Sequence, residues 1–128
     1  MMARRFHLKT FGCQMNKNDS LIAAKFLSEA GFEETEDPGS ADIIIVNTCA
    51  VRQHAEDRAL AHVSGLKKWR KQGSRALCVV GCLAVDRAHE ISRSFDFVDL
   101  ILGPDSYRRI ADYVSEVLSK GTRIVDVD

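Results

Sequence analysis

Four consecutive β-branched residues, Ile43-Ile44-Ile45-Val46, run through the first half of this chain with no polar residue between them. A strand with one wet face alternates polar and apolar side chains. An unbroken aliphatic strand is instead covered on both faces, which is the situation inside a parallel sheet flanked by helices. Ala76 to Val80 repeats the signature. Arg5 to Phe11 alternates as a strand with unequal faces, Val98 to Leu102 supplies a fourth strand, and Arg123 to Val127 is a fifth strand, an edge strand or the first piece of a linker. The expected fold is a doubly wound α/β domain. Its sheet is mostly parallel and four- to five-stranded, with helices on both faces and right-handed crossovers, flavodoxin-like or Rossmann-like.

Helical patterns fill the gaps. Asn18, Asp19 or Ser20 can cap a helix carrying Leu21, Ile22, Ala24, Phe26, Leu27 and Ala30, stopped by Gly31. The acidic stretch from Glu33 to Asp37, with Pro38-Gly39-Ser40, is expected to be a surface loop. Gln53 to Lys71 carries Ala55, Ala59, Val63 and Leu66 at helical spacing, and Val85 to Phe95 is a shorter amphipathic helix. After Gly103-Pro104, Asp105 or Ser106 caps a helix with the stripe Tyr107, Ile110, Ala111, Val114 and Leu118, closed by Gly121.

Length and charge narrow the function. The 128 residues suffice for one domain with its own core, and 18 basic side chains balance 18 acidic ones. No global field attracts nucleic acid, so contact with it needs a local patch. The densest group, Lys67, Lys68, Arg70, Lys71 and Arg75, is read as the solvated end of a helix. Met1 to Gly12 lacks the apolar stretch of a signal peptide, and the longest aliphatic run is far short of the ~20 residues of a membrane span. A cytoplasmic chain keeps its cysteines reduced and free to act as ligands.

Three of the four cysteines share one setting: Phe11-Gly12-Cys13, Asn47-Thr48-Cys49 and Gly81-Cys82 each stand just past an apolar run. In a doubly wound sheet the carboxyl ends of the strands line one edge, where ligands bind. None of the spacings is the C-x-x-C of a zinc ribbon or thioredoxin motif, so iron and sulfide come first. A cubane held by three thiolates keeps one iron open to another ligand. Cys78 lies four residues before Cys82, roughly 13 Å back along a strand, too deep to serve as a fourth ligand. It is read as a small buried hydrophobe. Gln14, Asn16 and Arg52 are candidates to offset the negative charge of such a group. His54 and His62 are read as helix-surface or core residues, and His7 and His89 have no evident partner. Two alternatives stay open: three small buried residues at strand ends, or zinc held by three cysteines and a histidine.

The segments Thr10-Phe11-Gly12-Cys13-Gln14-Met15-Asn16, Asn47-Thr48-Cys49-Ala50-Val51-Arg52 and Gly81-Cys82-Leu83-Ala84 together resemble the N-terminal domain of methylthiotransferases, radical S-adenosylmethionine enzymes that install methylthio groups. Asp19-Ser20 and Gly103-Pro104 also look familial. The resemblance covers nearly the whole chain, 1–128 as a single domain, and implies that Cys13, Cys49 and Cys82 hold an auxiliary 4Fe-4S cluster with one open iron. The first two motifs resemble the MiaB-type tRNA branch, whose target is an isopentenylated adenosine beside the anticodon; a related branch acts on threonylcarbamoyl-adenosine. The implied partners are the tRNA anticodon stem-loop and a radical domain with its own 4Fe-4S cluster and S-adenosylmethionine. That domain's C-x-x-x-C-x-x-C motif and a C-terminal RNA-binding domain are not in this sequence, so the chain looks like a fragment without catalytic residues of its own, expected to be inactive alone. The contrasting expectation is a stand-alone flavodoxin-like binding module, or a structural zinc domain, with no role in sulfur transfer.

Overall fold

A computed structural model describes residues 4–11, 14–48 and 53–127, the side chains of 14–16 and 53–55 excepted. Among these residues six strands form one all-parallel sheet in the order β2-β1-β3-β4-β5-β6, the strands being β1 (Arg5–Phe11), β2 (Glu33–Glu34), β3 (Ile43–Thr48), β4 (Ala76–Gly81), β5 (Leu100–Leu102) and β6 (Ile124–Asp126). This is the doubly wound flavodoxin-type order with one strand added at the far edge. Five helices accompany it: α1 (Gln14–Glu29), α2 (Gln53–Ser64), α3 (Lys67–Arg70), α4 (Cys82–Ser94) and α5 (Ile110–Lys120).

The aliphatic strands divide their side chains between two cores, as an alternating backbone must. Phe6, Ile43, Ile45, Ala76, Cys78 and Val80 pack against Ala23 and Leu27 of α1 and Ile110 and Val114 of α5. Phe11, Ile44, Val46, Leu77 and Val79 pack against Ala59 and Val63 of α2 and Leu83 and Ile91 of α4. Every residue of β3 and β4 is buried, which is why neither strand shows polar alternation. No helix among the described residues is long and apolar enough to cross a membrane.

Several boundaries differ from expectation. β2 lies where a loop was expected: Glu33 N–H donates to the Arg4 carbonyl at 2.9 Å and Thr35 N–H to the Phe6 carbonyl at 2.8 Å, so the acidic stretch forms a two-residue edge strand with its side chains in water. Such a short charged edge is a common way to end a sheet. The helix expected over 53–71 breaks at Gly65-Leu66 into α2 and α3. α1 begins at Gln14, so Asn18, Asp19 and Ser20 are interior to it and not caps. A 3-10 turn, Pro104–Arg109, precedes α5, and Gly121 ends that helix in the left-handed conformation at φ 69°.

The basic group lies at the amino edge of the sheet, opposite the carboxyl ends of the strands. Asp99 there accepts from Leu77 N–H at 2.9 Å and from both arms of the Arg70 guanidinium, one at 2.8 Å. Arg75 stacks over Trp69, whose indole N–H donates to the Ala41 carbonyl at 3.3 Å. Two of the five cations are therefore structural, while Lys67, Lys68 and Lys71 are solvated.

Cys78 is fully buried, pairs in register with Ile45 and Leu100, and its thiol is pushed up by burial, with Asp99 adding to the effect. Cys78→Ser should therefore cost about 1–3 kcal/mol of stability through a buried hydroxyl, read as a lower urea midpoint.

Candidate metal centre at the carboxyl edge

The three central strands end level with one another. Phe11 pairs with Thr48 and Thr48 pairs with Gly81, so the last residues of β1, β3 and β4 form one row across the sheet. At ~4.8 Å between neighbouring strands, that row is roughly 10 Å wide. Cys49 and Cys82 are the residues immediately after Thr48 and Gly81, and Cys13 follows Phe11 by two positions. Cys82 is exposed and opens α4. Cys13, Cys49 and Arg52 lie outside the described residues, as do the side chains of Gln14 and Asn16, although both of these belong to the first turn of α1. Among the described residues no group of three His, Cys, Asp or Glu side chains is placed to hold a metal ion.

Gly81 sets the exit of the third strand. Its φ of 95° and ψ of −163° belong to a region essentially closed to residues with a side chain. A Cβ there would also collide with Asn47 Oδ1 and come within 2.8 Å of the Thr48 carbonyl oxygen. The glycine thus allows β4 to press against the end of β3 and turn into α4 with no intervening loop, leaving Cys82 at the rim.

Beneath the rim a small polar relay joins three elements. Asn47 Nδ2 donates to Ser20 Oγ at 2.9 Å, and Ser20 Oγ shares a hydrogen bond with Thr10 Oγ1 at 2.7 Å. Ser20 and Asn47 are buried, so these bonds fix α1 against β1 and β3 close to where those strands end. Ser20 is the residue read from sequence as a possible cap; its hydroxyl works across the fold instead.

On the other face Arg87 clamps two helices. It donates to Glu90 through Nε at 2.6 Å and Nη2 at 2.8 Å, and reaches the buried Glu56 of the first turn of α2 at 3.4 Å. The Glu90 contacts first, and the charge of Glu56 after them, raise the Arg87 guanidinium above its ordinary value. Arg87 itself departs from helical geometry (φ −125°, ψ 26°), so α4 bends at this clamp. α2 and α4, which follow Cys49 and Cys82 in the chain, are held together near their starts.

The described histidines do not form a metal set. His7 Nδ1 lies 2.9 Å from the Thr35 carbonyl oxygen, and His62 packs against Phe11 with ring centroids 5.6 Å apart. Burial first, then the charges of Lys9 and His7, lower the His62 pKa. Lys9 Nζ and Arg58 Cζ sit 5.5 and 5.7 Å from the Phe11 ring centre, so the end of β1 is a cation-flanked aromatic. Sequence inspection passed over this group because its members come from two separate elements.

Gly81→Ala combines a forbidden backbone region with a backbone collision. It should lower stability by roughly 2–4 kcal/mol, read as a reduced urea midpoint at unchanged slope.

The family model described as uncharacterized protein family UPF0004 matches residues 5–103. A tRNA-2-methylthio-N(6)-dimethylallyladenosine synthase of Chlorobium luteolum is 41% identical over 119 residues, covering 91% of this chain and 26% of the relative. Proteins of the same name from Myxococcus xanthus and Rickettsia rickettsii are 34% and 35% identical over 96% and 99% of this chain. The chain spans 26% to 30% of the length of these curated relatives. Matched by the family model from the first strand to the turn after the fifth, the chain belongs to UPF0004, the N-terminal domain of MiaB-type methylthiotransferases.

Proposed function

We propose that this domain holds a 4Fe-4S cluster through Cys13, Cys49 and Cys82 and serves as the sulfur-delivering module of a tRNA methylthiotransferase. The observation that carries this is the level row Phe11, Thr48 and Gly81, because each cysteine follows its member of the row by one or two residues. A residue spans at most ~3.6 Å, so covalent geometry alone keeps the three thiols near a rim about as wide as a cubane with its ligands. The described part of the rim is open to such a group, since Cys82 is exposed at the start of α4. When bound, the cluster would supply an iron free of protein ligands, on which sulfur is held for transfer.

The chain's own residues position and shield the site. Gly81 and the relay through Ser20 set the strand ends, and the Arg87 clamp fixes the helices behind Cys49 and Cys82. Gln14, Asn16 and Arg52 remain candidates to neutralise negative charge. Cys78 takes no part, being sealed in the core. The relatives' name favours a dimethylallyl-adenosine over threonylcarbamoyl-adenosine as target. In this proposal the complete enzyme works in the cytoplasm, and a radical S-adenosylmethionine domain with its own cluster activates the base beside the anticodon. This domain alone does not turn over.

Anaerobic reconstitution with iron and sulfide should load about four of each per chain. Cys13→Ala, Cys49→Ala and Cys82→Ala should each abolish the brown chromophore, whereas Cys78→Ala should keep it. Tight zinc binding with no iron uptake would instead favour a structural zinc domain, and indifference to all three substitutions a plain binding module.

Cations on the rim side include the exposed Lys9 and Arg58, whereas Lys67 and Lys68 lie at the opposite edge. In the full-length enzyme, Lys9→Glu with Arg58→Glu should weaken tRNA binding and flatten its salt dependence by about 1–2 in log-log slope. Lys67→Glu with Lys68→Glu should leave both unchanged.

A further inference from the structure

The outer edge of β1 is paired over only part of its length. Glu33 and Thr35 donate to the Arg4 and Phe6 carbonyls, so the even-numbered residues of β1 turn their backbone groups outward. The odd-numbered ones face β3, where Asp42 N–H donates to the Arg5 carbonyl at 2.9 Å. Leu8 and Thr10 continue the outward series. β2 ends at Glu34, and the Thr35 carbonyl, next in line for the Leu8 N–H, lies 2.9 Å from His7 Nδ1 instead. The Leu8 and Thr10 amides and carbonyls therefore have no backbone partner on that side among the described residues.

Proteins seldom leave such an edge bare. A groove of about 380 Å³ lies beside it on the α1 face, lined by Leu8, Thr10, Lys17, Leu21, Ala24 and Glu34. Leu21 is 67% exposed, more than any other large apolar side chain among the described residues. Unpaired main-chain groups with an apolar pocket alongside are what strand addition uses, the first for affinity and the second for an alternate side chain. Thr10 immediately precedes Phe11 of the level row, so the open edge adjoins the carboxyl rim.

The occupant follows from what the edge rejects. A two-fold antiparallel pairing with a second copy that engaged both Leu8 and Thr10 would set Lys9 directly against its symmetry mate, and like charges so placed repel. Nucleic acid has no main-chain amides and carbonyls with which to complete a strand. The curated relatives point to the remaining source, because this chain spans only 26% to 30% of their length and the greater part of such an enzyme lies outside it.

We infer that the open edge of β1 receives an extended segment from the remainder of the full-length enzyme, which adds a strand at Leu8 and Thr10 and sets an apolar side chain in the groove against Leu21. This rests on the reading of the chain as one domain of a longer enzyme, and stands whether or not the cysteines take up iron. Lys9 and Arg58 lie over the Phe11 ring on the other face of the sheet and stay free for the RNA contact proposed above.

Hydrogen exchange resolved to single amides, compared between this chain and the full-length enzyme that carries it, tests the inference. In this chain the Leu8 and Thr10 amides should exchange fast, while Lys9 and Phe11, which face β3, exchange slowly. In the full-length enzyme Leu8 and Thr10 should slow by about 100-fold, with Lys9 and Phe11 as unchanged internal standards. Leu21→Glu keeps a good helix former at an exposed position, so it should leave the melting temperature of this chain unchanged yet return both amides to the fast rate in the full-length enzyme. Equal rates for Leu8 and Thr10 in the two proteins would overturn the inference. So would protection that grows with the concentration of this chain, which signals a second copy, protection that appears only with tRNA, which signals nucleic acid at the edge, or protection that survives Leu21→Glu.

Discussion

The carboxyl edge of this domain depends on parallel strands ending at the same level. Parallel pairing lets β1, β3 and β4 run in one direction, so their last residues share an edge. Their register decides whether those residues are neighbours or scattered along it. Here Phe11, Thr48 and Gly81 fall in a single row. The row is tight at its β4 end because Gly81 has no side chain to hold β3 away, and Asn47 and the Thr48 carbonyl fill the space where a Cβ would stand. A slip of one residue would turn every side chain of the slipped strand to the other face, exchanging the two cores. The burial of Ile43 to Val46 on both sides is thus also what holds the strand ends level.

Around that row the polar groups divide by location. At the amino edge, Asp99 gathers Arg70 and the β4 backbone, while Trp69 and Arg75 close the sheet's lower corner. At the carboxyl edge, the Ser20 relay braces α1 and the Arg87 clamp braces α2 against α4. The amino edge spends its hydrogen bonds on its own closure. The carboxyl edge holds an exposed thiol, which is the asymmetry expected of a scaffold with one working side.

Much of the architecture was legible from local pattern. Aliphatic runs marked β3 and β4, alternation marked β1, and Gly121 marked the end of α5. What escaped was set by partners distant in sequence. β2 has no strand signature, since two glutamates become a strand only by borrowing the Arg4 and Phe6 carbonyls. Ser20 has the chemistry of a cap, but Thr10 and Asn47 are its partners, and the helix starts at Gln14 instead. Tyr107 looked like one more member of an apolar stripe, because nothing in its neighbours along the chain reveals a hydroxyl without a partner.

By itself the sequence determined the fold class, the buried status of Cys78 and the position of three cysteines just past strand ends, because residue type and periodicity act over a few positions and the backbone geometry of a strand is universal. Only the tertiary structure decided that those strand ends are level, that Gly81 lets Cys82 open a helix directly, that the basic group faces away from the rim, and that the Tyr107 hydroxyl is buried without a partner among the described residues. Each of these depends on contacts between residues tens of positions apart, and sidedness of that kind exists only once the sheet has assembled.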